Sequence, residues 1–230
     1  MPEFVSLSID GATVRAPQGA TVLDTALELG ICIPALCHMP NVTAIGACRL
    51  CIVEVVKHGR AKVTASCTLD VQEGMVVRTN SEKIHRLRRN VAELLVAEAP
   101  NSKAIQDLAA RCGVTEVRYP FRDRNCVLCG KCVRICSDMW QAKALGFVGR
   151  GRERHVDFPF GTRPDSCKMC NSCIDLCPMT IIPCPGPMPP GEEYLCGLCG
   201  SQTSMASTIP ETCVQCGLGK GFQCTRAVPC

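Results

Sequence analysis

The chain repeats one arrangement of cysteines. The spacing Cys-x2-Cys-x2-Cys-x3-Cys occurs twice, first at Cys126, Cys129, Cys132 and Cys136 and then at Cys167, Cys170, Cys173 and Cys177. Three thiolates on one tight loop can each reach a different iron of a cubane cluster, and the fourth ligand has to come from elsewhere. Zinc sites use two close pairs of cysteines and have no need of the third, so paired zinc knuckles are the weaker alternative. The two runs therefore predict two 4Fe-4S clusters.

The second run ends in Cys177-Pro178, which is typical of two-cluster ferredoxins. In that pattern the fourth cysteine of each run binds the cluster of the other run. The first cubane quartet is therefore predicted to be Cys126, Cys129, Cys132 and Cys177. The second cubane quartet is predicted to be Cys167, Cys170, Cys173 and Cys136.

A third set of cysteines lies nearer the N-terminus, with gaps of x10, x2 and x15: Cys37, Cys48, Cys51 and Cys67. Plant-type 2Fe-2S ferredoxins use Cys-x4-Cys-x2-Cys and a distant fourth cysteine, so the scheme is the same with a longer first gap. We call this set the 2Fe-2S quartet, with a zinc site as the alternative. Small residues at 40–47 would let backbone amides approach the sulfurs. Cys32 does not fit the spacing and is predicted to be a buried free thiol.

The composition and motifs of the chain argue against secretion, membrane insertion and the binding of nucleic acids or nucleotides. Cysteine accounts for 21 of 230 residues, and no secretory signal or apolar run of about 18 residues is visible, so a thiol-reducing cytoplasmic location is expected. The formal net charge of +4 and 4% aromatic content give no support to nucleic-acid binding. The chain holds no Gly-x-Gly-x-x-Gly and no phosphate loop, so we expect it to bind no nucleotide itself.

The segment before residue 81 reads as a small mixed domain. Val5, Leu7 and Ile9 alternate with polar residues before Asp10-Gly11, which predicts a hairpin with a second strand from Thr13 to Ala16. A helix from Thr21 closes at Gly30. Strands are predicted at 52–56, 62–67 and 75–78.

The segment after Ser81 changes to a helical pattern. One face is apolar, with Ile84, Leu87, Val91, Leu94 and Leu95, and the other is basic, with Lys83, Arg86, Arg88 and Arg89. The basic face is expected to be solvated, with docking of an acidic partner as the alternative. A second helix is predicted at 104–110, before Cys112.

With these residues in place, the chain resembles a known family. It is similar to the N-terminal part of the large iron-sulfur subunit of respiratory complex I, to iron-only hydrogenases, and to small diaphorase subunits of NAD-linked hydrogenases and formate dehydrogenases. The resemblance spans residues 3 to about 180 and depends on four stretches: 48–55, 86–89, 106–109 and 144–151. It implies an electron-transfer subunit, in a hetero-oligomer with a flavin subunit that uses NAD(P)H and a second redox subunit or ferredoxin. A free-standing polyferredoxin carrier and a metal-dependent interaction or sensor module are the alternatives.

The connector departs from the family pattern. Relatives usually place His-Pro and three cysteines there, holding an extra 4Fe-4S cluster, whereas this chain has Ala99-Pro100 and no cysteine between Asn101 and Ala104. We therefore expect that cluster to be missing. His85 lies on the basic helix and is expected to be a surface residue.

The C-terminal segment also departs from the family pattern. Residues 183–191 are rich in proline and glycine and are predicted to be a linker. Two Cys-x2-Cys-Gly turns follow, at Cys196, Cys199, Cys213 and Cys216, and fit a zinc ribbon. A further iron-sulfur cluster and free thiols remain alternatives. No role is assigned to Cys112, Cys184, Cys224 or Cys230.

These patterns predict an α+β chain of four parts. They are a β-grasp 2Fe-2S domain at 1–80, a helical connector at 81–120, a 2x4Fe-4S ferredoxin domain at 121–182, and a linker with a Cys-rich tail at 183–230.

Overall fold

The computed structural model describes residues 3–57, 59–122 and 126–179, together with the backbone of two short strands at 193–195 and 202–204. Its elements are β1 (Phe4–Ile9), β2 (Ala12–Pro17), α1 (Val22–Glu28), β3 (Ile52–Lys57), β4 (Arg60–Ala65), β5 (Val76–Arg78), α2 (Glu82–Glu98), α3 (Lys103–Arg111), α4 (Lys131–Arg134), β6 (Gly146–Val148), β7 (His155–Asp157), α5 (Ser172–Asp175), β8 (Glu193–Leu195) and β9 (Gln202–Ser204). No helix in these described ranges is long and apolar enough to cross a membrane.

The N-terminal domain is a five-stranded mixed sheet in the order β2-β1-β5-β3-β4. Strand β1 pairs antiparallel with β2 and parallel with β5, and β3 pairs antiparallel with both β5 and β4. Alternation places Leu7 and Ile9 in the core, where they pack with Val53 and Val77. The hairpin predicted at Asp10-Gly11 is confirmed, and this sheet with α1 forms the β-grasp domain.

Helix α1 begins at the capping residue that the sequence indicates. The Thr21 hydroxyl accepts the backbone N–H of Asp24 at 3.1 Å, and Gly30 ends the helix at a φ of +74°. Val22, Leu23 and Ala26 are fully buried against the sheet. The helix therefore covers the apolar face that β1, β3 and β5 leave open.

The connector consists of α2 and α3, which pack against each other and against the loop that carries Cys37 and Cys48. The basic face predicted for α2 is wrong in part, because Arg88 is only 5% exposed and Lys83 pairs with the buried Glu54 at 3.3 Å. Leu94, placed on the apolar face from the sequence, is 47% exposed. His85 is exposed, as expected.

The C-terminal described region winds around the cysteine runs with little regular structure. Helix α4 continues into a π-helical turn at Ile135–Met139, and β6 and β7 form a short hairpin before α5. In the tail, Tyr194 and Thr203 are register partners in the antiparallel β8–β9 pair. The linker at 183–191 and the tail cysteines Cys184, Cys196, Cys199, Cys213, Cys216, Cys224 and Cys230 lie outside the described residues.

Candidate iron-sulfur centres

The 2Fe-2S quartet is gathered at one end of the sheet. Cys37 and Cys48 come from the loop between α1 and β3, and Cys51 immediately precedes β3. Cys67 lies in a 3-10 turn, Ser66–Thr68, where the sequence had predicted an extended piece. The four side chains are between 1% and 8% exposed. The chain thus brings together four buried thiols that are up to thirty residues apart.

Hydrogen bonds hold the loops of this quartet. The Ser66 N–H and hydroxyl both donate to the carbonyl oxygen of Cys51, at 2.9 Å and 2.6 Å. The backbone N–H of Cys48 points at the sulfur of Cys37, at 3.5 Å. Arg49 and Gly46 take positive φ values of +58° and +60°, which turn the chain tightly between the ligands. The amide approach to sulfur that was expected of this loop is present at Cys37.

The four thiols titrate as two pairs. The hydrogen bond from Cys37 lowers the pKa of Cys48 to about 5, and the same contact raises the pKa of Cys37. Likewise the hydrogen bond from Cys67 lowers the pKa of Cys51 to about 6, while the pKa of Cys67 is raised. Two thiolates are therefore favoured before any metal arrives, and cluster assembly has to displace the other two protons.

The first cubane quartet comes together across the two cysteine runs. Cys126, Cys129, Cys132 and Cys177 line one small cavity. Burial first, and then neighbouring thiols including Cys177, raise the pKa of Cys129 and raise that of Cys132 to about 12. Cys177 thus lies beside the first run, as the crossed assignment requires. The ligation itself stays a prediction.

The second cubane quartet is more open. Burial raises the pKa of Cys173, with smaller contributions from Cys170 and Cys136, which places Cys136 beside the second run. Cys170 is exposed, and a hydrogen bond from Ser172 lowers its pKa. The backbone N–H of Ala144 donates to the sulfur of Cys136 at 3.3 Å. The second site is therefore the one nearer to solvent.

The two cysteine runs share one backbone conformation. Leu128 and Met169 precede the second cysteine of each run and have φ values of +53° and +51°. Gly130 and Asn171 follow that cysteine at +69° and +57°, and each is the N-terminal cap of a four-residue helix, α4 or α5. Residues with positive φ on each side of a cysteine turn the main chain tightly around it. Each run therefore forms a concave loop that surrounds its thiolates.

One buried cluster of side chains links the sites. Cys37 and Cys48 of the 2Fe-2S quartet belong to the same core as Cys129 of the first cubane quartet, together with Leu50 and Ile105. No three His, Cys, Asp or Glu side chains in the described ranges are arranged to hold a single metal ion. A 4Fe-4S cluster takes one thiolate at each iron and a 2Fe-2S cluster takes two at each, so either spreads its ligands more widely than a single ion does. The donor set and its placement fit clusters.

Two buried hydrogen-bonded contacts hold the connector, one within it and one to the dicluster region. Glu93 on α2 is 3% exposed in its side chain, and its carboxylate accepts from the Arg118 guanidinium at 2.6 Å and from the Arg118 backbone N–H at 2.6 Å. Ser102, fully buried at the start of α3, donates to the carbonyl oxygen of Pro178 at 2.8 Å. Pro178 directly follows Cys177, so this bond reaches the ligand segment itself.

Two described cysteines lie outside the three quartets. Cys32 is exposed and disulfide-bonded, so the prediction of a buried free thiol is wrong. Cys112 is a half-buried free thiol at the end of α3, where burial raises its pKa.

Sequence reasoning missed two buried arginines beside the 2Fe-2S quartet. Arg88 donates to main-chain oxygens on both sides of Cys51, and Arg134 donates to the main chain of the Cys37 loop. Arg88 is surrounded in sequence by other basic residues, so its burial could not be predicted from its neighbours. Arg134 lies between the predicted ligands Cys132 and Cys136, and this position could have indicated that it lies near a cluster.

The comparisons with known proteins agree with this geometry. Residues 3–82 match the 2Fe-2S iron-sulfur cluster binding domain, and residues 125–181 match the 4Fe-4S dicluster domain. Fold and site together define an iron-sulfur protein that carries a 2Fe-2S domain followed by a dicluster domain.

Curated proteins match about three quarters of this chain. The NADPH-Fe(3+) oxidoreductase subunit alpha of Geobacter sulfurreducens is 32% identical over 200 residues, and the match covers 76% of this chain and 23% of the relative. The NADP-reducing hydrogenase subunit HndD of Solidesulfovibrio fructosivorans is 32% identical over 208 residues, covering 76% and 35%. The mitochondrial NADH-ubiquinone oxidoreductase 78 kDa subunit of Neurospora crassa is 32% identical over 205 residues, covering 77% and 27%.

A solved structure supports the same relationship. A chain of the NAD+-reducing NiFe hydrogenase in the H2-reduced state superposes with a TM-score of 0.66 and 30% identity, covering 76% of this chain and 85% of that chain. The chain belongs to the family of iron-sulfur subunits of NAD(P)H-linked oxidoreductases. It spans about a quarter to a third of the length of the curated relatives that it matches.

Proposed function

We propose that this chain is the electron-transfer subunit of a multisubunit NAD(P)H-linked oxidoreductase of hydrogenase, transhydrogenase or formate dehydrogenase type. In this role it relays electrons between a flavin subunit and a second redox partner. The observation that carries the proposal is the single buried core that contains ligands of the 2Fe-2S quartet and of the first cubane quartet.

The residues of the chain suit this role. The clusters would supply one-electron acceptors and donors, held by the twelve cysteines of the three quartets. Leu50 and Ile105, both fully buried, pack in the same core as Cys48 and Cys129, and this apolar core excludes water. Cys170, the exposed ligand of the second cubane quartet, offers a place where electrons can pass to another protein.

The partners are inferred from the family. Relatives include a protein named as an NADPH oxidoreductase subunit and one named as an NADP-reducing hydrogenase subunit. The sequence has no dinucleotide-binding motif, so we infer that a flavin subunit handles the nucleotide. The four-part domain division, the cytoplasmic location and zinc in the Cys-rich tail belong to the same proposal.

The test begins with the purified, cluster-loaded chain. We expect NADH or NADPH alone to leave its visible absorption unchanged, and addition of the flavin subunit that co-purifies with the native chain to bleach it. Turnover by the chain alone, with flavin shown to be absent, would contradict the proposal. A native protein that elutes as a monomer near 24.7 kDa would favour the free-standing carrier.

A further inference from the structure

Arg88 reaches from the connector to the main chain around Cys51. Its side chain is 5% exposed. Its Nε donates to the Leu50 carbonyl oxygen at 3.1 Å, and one terminal nitrogen donates to the Ile52 carbonyl oxygen at 2.7 Å. Leu50 and Ile52 are the two neighbours of Cys51 in sequence. The guanidinium therefore lies directly behind one ligand of the 2Fe-2S quartet.

Arg134 reaches the same quartet from the dicluster region. It is 6% exposed, and its terminal nitrogens donate to the Thr43 carbonyl oxygen at 2.8 Å and to the carbonyl oxygen of Cys37. Its Nε donates to Gly130 at 3.3 Å, within the turn that begins α4. A second buried guanidinium therefore lies behind another ligand of the quartet, ninety-seven residues away in sequence.

The acceptors of both arginines are neutral carbonyl oxygens. Arginine cannot lose its proton in a protein, so a buried guanidinium keeps its charge whatever accepts its hydrogen bonds. Carbonyl oxygens satisfy the N–H groups without cancelling that charge. Neither arginine forms an ion pair with a carboxylate among the described residues. Asp138, whose carboxylate accepts the Thr43 N–H at 3.0 Å, is exposed to solvent. Two buried positive charges without a directly paired carboxylate among the described residues therefore flank the quartet, and the nearest acidic group to Arg134, Asp138, is exposed.

Buried positive charges near the 2Fe-2S quartet would affect how easily its cluster gains an electron. Reduction makes a 2Fe-2S centre more negative by one unit charge, and a fixed positive charge nearby stabilises that form. Because both arginines are buried, water and salt screen them less than they screen surface charges. A basic residue at the surface of the same helix would have a much smaller effect.

We propose that Arg88 and Arg134 raise the reduction potential of the 2Fe-2S centre, by holding buried positive charge against the main chain of its ligand loops. The inference rests on the proposed function, because it requires the cluster that the quartet is predicted to hold. No proton or bond changes are involved, since the step is the addition of one electron from an external reductant.

The long loop between Cys37 and Cys48 brings the dicluster region, and with it the charge of Arg134, against the 2Fe-2S quartet. Thr43, within this loop, is held at both backbone polar atoms, by Arg134 at its oxygen and by Asp138 at its N–H. Gly130 allows close approach, since a Cβ there would lie 3.0 Å from the Ile45 Cδ1 atom. Thr43 and Ile45 of this loop therefore contact the segment that includes α4 and the turns on either side of it. The potential is consequently expected to depend on this contact.

The experiment is a redox titration of the full cluster-loaded chain with dithionite, followed by electron paramagnetic resonance of the reduced 2Fe-2S centre. Arg134→Gln and Arg88→Gln remove the charge and keep a hydrogen-bonding side chain, while Arg134→Lys and Arg88→Lys keep the charge and lose the planar fork. The matched control is Arg86→Gln, an exposed arginine on α2. We expect each Gln variant to lower the reduced-to-oxidised ratio at the wild-type midpoint about tenfold, equivalent to about 59 mV for one electron.

Comparison of the reduction potentials of the variants tests whether the charge of each arginine is responsible. The Lys variants should keep most of the wild-type potential, and Arg86→Gln should keep it entirely. An unchanged potential in both Gln variants, with a normal 2Fe-2S signal, would overturn the inference. So would equal shifts in Gln and Lys variants, because these would show a purely geometric role. The two arginines are tested separately, so a variant that fails to assemble its cluster leaves the other to decide. A wild-type chain without any 2Fe-2S signal would refute the proposed function instead.

Discussion

Removal of Cys177 tests the crossed arrangement of the two cubane quartets. Cys177 lines one cavity with Cys126, Cys129 and Cys132, although it belongs in sequence to the second run. Three quartets of the predicted types hold about 10 iron atoms, from 2, 4 and 4. Cys177→Ala should therefore lower the iron content to about 6 and remove one of two 4Fe-4S signals in the reduced protein.

Double variants make the test sharper, because ligands of one cluster are not additive. Cys126→Ala with Cys177→Ala should cost the same four or so irons as either change alone, whereas Cys167→Ala with Cys177→Ala should cost about eight. Cys112→Ala is the matched control, a half-buried thiol outside the quartets, and should keep all the iron. The measurements are iron per chain and electron paramagnetic resonance. The crossed arrangement is refuted if the Cys126 pair loses about eight irons and the Cys167 pair loses four.

Three further outcomes are expected. Cys48→Ala should cost about two irons and only the 2Fe-2S signal; loss of both 4Fe-4S signals would contradict the separate sites. Hydrogen bonds from Arg118 hold the pKa of Glu93 below its usual range, so the stabilisation is complete above the unfolded pKa of about 4.3 and disappears as the pH falls through the folded value. Glu93→Gln should therefore unfold at a lower temperature than wild type from pH 8 to about 5, with the gap closing at lower pH; a gap that widens on acidification would show that another group is responsible. In the tail, X-ray absorption should find one zinc with four sulfurs near about 2.3 Å, and Cys196→Ser or Cys213→Ser should remove zinc while iron stays constant; loss of iron instead would indicate a fourth cluster.

Much of the fold could be predicted because local patterns decided it. The hairpin at Asp10-Gly11 and the capped start of α1 depend on neighbouring residues only, and both are present in the structure. The domain order followed from cysteine spacing, since thiolate geometry restricts which spacings can bind a cluster. The comparisons support the same two cluster-binding domains.

The sequence did not predict features that arise from contacts between distant segments. Arg88 was placed on a solvated face with Arg86 and Arg89 because all three are basic, but helix packing buries every third or fourth position whatever its charge. Leu128 takes a left-handed conformation that its residue type disfavours, because the run must curl around its sulfurs. Periodicity and propensity carry no information on such long-range requirements.

The hydrogen bond between Ser102 and Pro178 has a consequence for everything that follows it in the chain. Met179, the last described residue of the dicluster region, packs into the core shared by the cluster ligands. The chain that follows therefore starts from a fixed point near Cys177. Sixteen residues lie between Met179 and Cys196, and an extended chain of that length reaches at most about 60 Å. A metal site in the tail would therefore act as a tethered ligand, with its effective concentration at the cluster-bearing surface set by this linker and not by diffusion.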